Sequence, residues 1–116
     1  MIKNQLVYVA HPYAGKEANK YSIDTIMENL VLLDKNNTYL SPLHNFSMLY
    51  FDTQYSKGLK ICLDMLNRCD ALVLCGDWET SKGCIGEWSF AIAKGMPIYT
   101  WKEWTDKLKE QGDNSR

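Results

Sequence analysis

Two short runs in this chain, Leu6–Ala10 (LVYVA) and residues 71–75 (ALVLC), carry no charged or amide side chain at all. A strand with one wet face alternates apolar and polar residues. A continuous apolar run therefore marks a strand covered on both faces, as in a parallel sheet. Around these runs the apolar residues recur at helical spacing. Ile23, Ile26, Met27, Leu30, Val31 and Leu33 predict a helix over residues 16–34, and Leu59, Cys62, Leu63 and Leu66 one over 55–68. A short strand is predicted at Thr38–Leu40, stopped by Pro42. A helix over 84–94 is closed by Gly95 as its C′ residue. A strand over 97–101 and a short helix over 102–110, carrying Trp104 and Leu108, complete the series. The order βαβαβαβα predicts an α/β fold of the flavodoxin/Rossmann-like type. It is a three-layer sandwich with a four- or five-stranded parallel sheet, in which the two apolar runs are adjacent central strands. One domain over 1–110 and a disordered tail over 111–116 account for the chain.

Such sheets bind ligands outside the carboxyl ends of their strands, where strand order reverses. Three loops then matter: residues 11–15 (HPYAG), 41–52, and 76–83. The second belongs to a long aromatic connection over 43–55, which holds His44, Phe46, Tyr50, Phe51 and Tyr55. Aromatic residues are enriched at subunit contacts, so residues 46–55 are expected to join a homodimer or higher homo-oligomer.

Composition narrows the partners. A net charge of -1 supplies no basic field for nucleic acid or an anionic membrane. No apolar run approaches the ~20 residues of a membrane span. The amino-terminal MIKNQLVYVA lacks the apolar region of a signal peptide, so the cytoplasm is the expected compartment. Cys62, Cys69, Cys75 and Cys84 show no CxxC spacing and read as buried free thiols. His11 and His44 lack a third ligand, so no metal and no cofactor is expected.

The loop GDWETSKGCIGEW holds most of the chemistry. Ser81, Lys82 and Gly83 fall at a helix start, where free N–H groups and the helix dipole favour an anion. Ordinary capping by a hydroxyl residue explains the same pattern. Glu87 lies one turn into the helix, beside a predicted core stripe of Ile85, Trp88, Ala91 and Ile92. A carboxylate there is either a solvated surface group or a working nucleophile or base. Carboxylates attack anomeric carbons, where they trap an oxocarbenium-like centre. Tyr8 is either plain core or part of such a site. His11, Pro12, Tyr13, Gly15, His44, Asp77 and Trp78 complete the candidate pocket.

The segments VYVAHPYAG, SPLH, RCDALVLCGDWETSKGCIGEW and AKGMPIY, in this order over about residues 5–100, resemble the nucleoside 2-deoxyribosyltransferase-like superfamily, notably small phage- and prophage-borne domains. They are also similar to deoxynucleoside 5′-monophosphate N-hydrolases. The resemblance implies that Glu87 is a glycosyl-accepting glutamate, that Tyr8 orients it, and that Asp70 is the aspartate opening the third strand. It places Ser81 where the monophosphate branch has a phosphate-contacting serine. Two positions depart from the pattern. Cys62 stands where the enzymes carry an aspartate, and His11 where the hydrolases have glycine. Asp64 lies roughly 200° around the helix from Cys62, at about 100° per residue, and is a poor substitute.

The implied function is cleavage or transfer of the N-glycosidic bond of a (deoxy)nucleoside 5′-monophosphate or related nucleotide. The proton for the departing base would come from His11, His44 or Asp77. The alternative is a non-catalytic holder of a nucleotide or ADP-ribose-type signal, such as a phage anti-defence sponge. Cys62 favours the holder; Glu87 with Tyr8 favours the enzyme.

Overall fold

The computed structural model describes residues 4–12, 17–42 and 55–114. Four parallel strands, β1 (Leu6–Ala10), β2 (Thr38–Leu40), β3 (Ala71–Leu74) and β4 (Ile98–Thr100), form one sheet in the order β2-β1-β3-β4. β1 and β3 are the central pair, with Val7 opposite Ala71 and Ala10 opposite Leu74. Their apolar runs are buried from Val7 to Ala10 and from Ala71 to Cys75, as doubly covered strands require.

The helices α1 (Glu17–Leu33), α2 (Tyr55–Asn67), α3 (Lys82–Lys94) and α4 (Trp101–Asn114) cover both faces. Alternate residues of each strand choose between two cores. Tyr8, Ala10, Leu72 and Leu74 point to one face, where Cys62 and Leu66 of α2 and Cys84 and Ala91 of α3 meet them. Val7, Val9 and Val73 point to the other, against Ile23 and Leu30 of α1 and Trp104 of α4. The result is the expected flavodoxin/Rossmann-like three-layer sandwich.

The chain leaves β1 toward β2 on one side and returns past β1 to β3 on the other. The reversal lies between β1 and β3, and folds of this kind place their ligand crevice at the carboxyl ends of the strands on either side of it. Asp70 ties the opposite end together. Its carboxylate accepts the Leu6 N–H at 2.7 Å, and its own N–H donates to the Leu6 carbonyl at 2.7 Å.

Some boundaries differ from the sequence pattern. α3 starts two residues early, because the Ser81 hydroxyl caps it by accepting the Cys84 N–H at 3.3 Å. Gly95, at φ +77°, ends it in the left-handed conformation and donates its N–H to the Ala91 and Ile92 carbonyls. β4 is shorter than 97–101, since Trp101 already belongs to α4. α4 in turn runs to Asn114, into the segment expected as a disordered tail. A single glycine, here Gly112, costs a helix about 1 kcal/mol and does not by itself end it.

Candidate functional site

Glu87 is the group that organises the site. The expected stripe of Ile85, Trp88, Ala91 and Ile92 is not the buried one. Cys84, Glu87 and Ala91 are buried and Trp88 is half-buried, whereas Ile85 and Ile92 are 37% and 52% exposed. The helix is thus rolled by roughly 75° from the expected face, at about 100° per residue. The packing gives the reason. α3 lies against α2, with a Cβ on Gly86 falling 3.7 Å from Leu59 Cδ1. That contact turns the 84–87–91 edge down onto the sheet. Glu87 therefore sits within the core rather than beside it.

A carboxylate in that position needs a donor. Tyr8, fully buried in the middle of β1, donates its hydroxyl to Glu87 Oε2. Burial pushes the Glu87 carboxyl up to about 7, and the Tyr8 hydrogen bond only partly opposes this. At neutral pH the group is divided between acid and carboxylate, a state suited to chemistry and unusual for a structural residue. Cys84, one turn away, is pushed up to about 12 by its own burial and by the Glu87 charge, so its thiol stays protonated.

The loops bring further residues to the same end of the sheet. Ser81 is the helix cap: its hydroxyl oxygen accepts the Cys84 N–H, and the same hydroxyl lies within hydrogen-bonding reach of the Cys84 thiol. Lys82 and Gly83 begin α3, where the first N–H groups have no partner within the helix. Lys82 is exposed and Gly83 partly exposed. Trp78 lies in a 3₁₀ turn, Trp78–Thr80, and packs on Trp88, ring centres 5.9 Å apart. Asp77 is exposed just before it, and its carbonyl accepts from the Thr80 N–H and hydroxyl.

His11 stands on the α1 side of the crevice. Its Nδ1 lies 2.7 Å from the Pro12 carbonyl and its Nε2 3.0 Å from Ser22 Oγ. The carbonyl can only accept, so Nδ1 carries the proton and the neutral ring offers a lone pair at Nε2. A neutral His11 thus has no N–H left for a departing base. Ser22 is a site residue that no motif announced. A lone serine within a helix looks like any other until the fold sets it against a histidine.

Tyr13, Gly15 and His44 lie outside the described residues, as do residues 46–54 of the expected subunit contact. Among the described residues no three His, Cys, Asp or Glu side chains group as metal ligands. No helix among them is long and apolar enough to cross a membrane. Asp64 is exposed and pairs with Lys60 at 3.0 Å, so it does not replace the buried Cys62.

The family model described as a domain of unknown function, DUF4406, matches residues 5–100. The chain belongs to this family. The match takes in every strand of the DUF4406 domain, the Tyr8–Glu87 pair and the Ser81 cap. α4, which begins at Trp101, lies beyond it. No curated protein matches the chain.

Proposed function

We propose that this protein binds a nucleotide in the crevice outside the carboxyl ends of β1 and β3 and breaks or transfers its N-glycosidic bond. The observation that carries the reading is the buried Tyr8–Glu87 pair beneath the strand-order reversal. The resemblance to the nucleoside 2-deoxyribosyltransferase-like superfamily points the same way.

In this reading one Glu87 carboxylate oxygen attacks C1′ while the C1′–N bond breaks. The departing base takes up a proton from solvent water, which exposed Asp77 could relay. Water or an acceptor nucleoside then releases the sugar from Glu87. Tyr8 is a positioning residue, holding Oε2 so that the other oxygen is presented. The start of α3, with the Ser81 hydroxyl and the Lys82 charge, suits a 5′-phosphate. Trp78 offers a partly buried aromatic face near a base. The protein would act in the cytoplasm as a homodimer or larger homo-oligomer, with no nucleic acid or membrane partner.

One observation favours the second reading, a holder without turnover: Cys62, fully buried on the Tyr8 face, leaves that position without a carboxylate. A panel of ribo- and deoxyribonucleotides, followed by chromatography for free base, separates the two. Base release is expected from wild type and is expected to fall by about a thousandfold or more in Glu87→Gln. Release that survives the substitution would overturn the nucleophile. Tight binding in calorimetry with no release from wild type would establish the holder.

A further inference from the structure

The Ser22–His11 contact has the three parts that activate a hydroxyl. Ser22 Oγ lies 3.0 Å from His11 Nε2, the nitrogen with the lone pair, so the single hydroxyl proton points at the imidazole. Nδ1–H donates to the Pro12 carbonyl at 2.7 Å, which fixes the tautomer and the ring orientation. Hydroxyl, base and orienting acceptor are the elements of base-activated nucleophiles on many folds.

Two further observations set this contact apart from ordinary packing. Helical hydroxyls usually bond back to the carbonyl four residues earlier. Thr25 and Thr105 do so here, on Tyr21 and Trp101, whereas Ser22 turns its hydroxyl to His11. The imidazole is also held from the other side. Gly76, just after β3 at φ +60°, would place a Cβ 2.9 Å from Nε2, so a side chain there displaces the ring. Both Ser22 and His11 are half-buried, dehydrated in part yet reachable.

We propose that Ser22 is a second nucleophile in this crevice, taking an acyl group from a small uncharged carboxylic ester. Among the described residues, the groups that meet the ring, the Pro12 carbonyl, the Gly76 backbone and the Ser22 hydroxyl, are neutral. None of them clamps a phosphoryl group, which needs cationic neighbours. Ser22 Oγ forms the bond to the ester carbonyl carbon, and its proton passes to Nε2. The bond from that carbon to the alcohol oxygen then breaks, and the alcohol leaves with the proton from Nε2. Water, deprotonated by the same nitrogen, later frees the carboxylic acid and restores Ser22. The centre does not depend on the Glu87 reading.

p-Nitrophenyl acetate is the probe. Nitrophenolate release is followed by absorbance, and the acetylated residue by peptide mass spectrometry. Acetylation of Ser22 is expected to exceed that of exposed Ser89 by at least about a hundredfold, the low end of what a positioned base contributes. His11→Phe is expected to remove that excess. Ser22→Ala is expected to remove the adduct while keeping the circular dichroism spectrum, since alanine is the better helix former. Gly76→Ala keeps both groups but displaces the ring, and is expected to slow acetylation. Ser22 acetylated no faster than Ser89, or equally fast in His11→Phe, would overturn the proposal. Base release from nucleotides, measured alongside on wild type, reports on Glu87 alone, so either signal is interpretable without the other.

Discussion

Two tyrosine–carboxylate pairs flank the sheet, and they are built to opposite ends. Asp34 and Glu87 are equally buried, each 6% exposed. Asp34, just past the end of α1, accepts from the Asn36 N–H at 2.8 Å, from Asn37 Nδ2 at 2.7 Å and from the Tyr39 hydroxyl. Tyr39 in turn accepts the Trp104 indole N–H at 2.9 Å. Every lobe of charge on Asp34 is met, and the network joins α1, β2 and α4. Burial and the Asp34 carboxylate push the Tyr39 phenol up, so it stays a donor at any physiological pH. Glu87 has the Tyr8 hydroxyl and an apolar surround. Equal burial with unequal hydrogen bonding separates a carboxylate that braces the fold from one whose charge the fold compensates poorly.

Stability gives the sharpest test of that contrast. Asp34→Ala leaves three donors without their acceptor and is expected to destabilise the protein by about 3 kcal/mol in urea unfolding. Glu87→Gln is expected to do the reverse at pH 8. Folded Glu87 holds its proton to about pH 7, and the unfolded chain releases it near the ordinary value of 4.5. Between those values the native state binds more protons, so wild-type stability falls as pH rises. Glutamine has no charge to bury, and its advantage is expected to be on the order of 3 kcal/mol above pH 7. The advantage shrinks through the window and vanishes below about pH 4.5. A Glu87→Gln protein less stable than wild type at pH 8 would break the contrast.

The pH dependence of base release sharpens it further. Nucleophilic Glu87 must be ionised, so release is expected to rise with pH along a limb centred near 7. Tyr8→Phe removes the hydrogen bond that holds the carboxyl down, and the limb is expected to move to higher pH. Tyr39→Phe is expected to leave the limb in place, since Tyr39 faces the other core. A limb unmoved by Tyr8→Phe would mean that Tyr8 only packs.

The smallest effect concerns the helix start. Ser81→Ala loses the cap on α3 and is expected to cost about 1 kcal/mol in thermal unfolding. In the nucleotide reading it also weakens AMP more than adenosine in calorimetry. Equal weakening of both would leave Ser81 a cap and nothing more.

The strands and helices were legible because periodicity is local. LVYVA and ALVLC announce doubly covered strands, and Gly95 announces a helix end, whatever surrounds them. Ser81 was legible for the same reason, since a cap acts within one turn of its own helix. The roll of α3 was not. Ile85 and Ile92 are more apolar than Cys84, and composition alone places them inward. Only the fit of Gly86 to Leu59 on α2 and the reach of Tyr8 from β1 turn Glu87 to the core. Those contacts join residues 27 and 79 positions apart, a separation at which no periodicity carries information. Ser22 and His11, and the full set of donors on Asp34, belong to the same class. The chain by itself determined which segments are strands and helices. Which side chains they bring within a hydrogen bond was decided by packing, because that depends on how each element rotates against its neighbours.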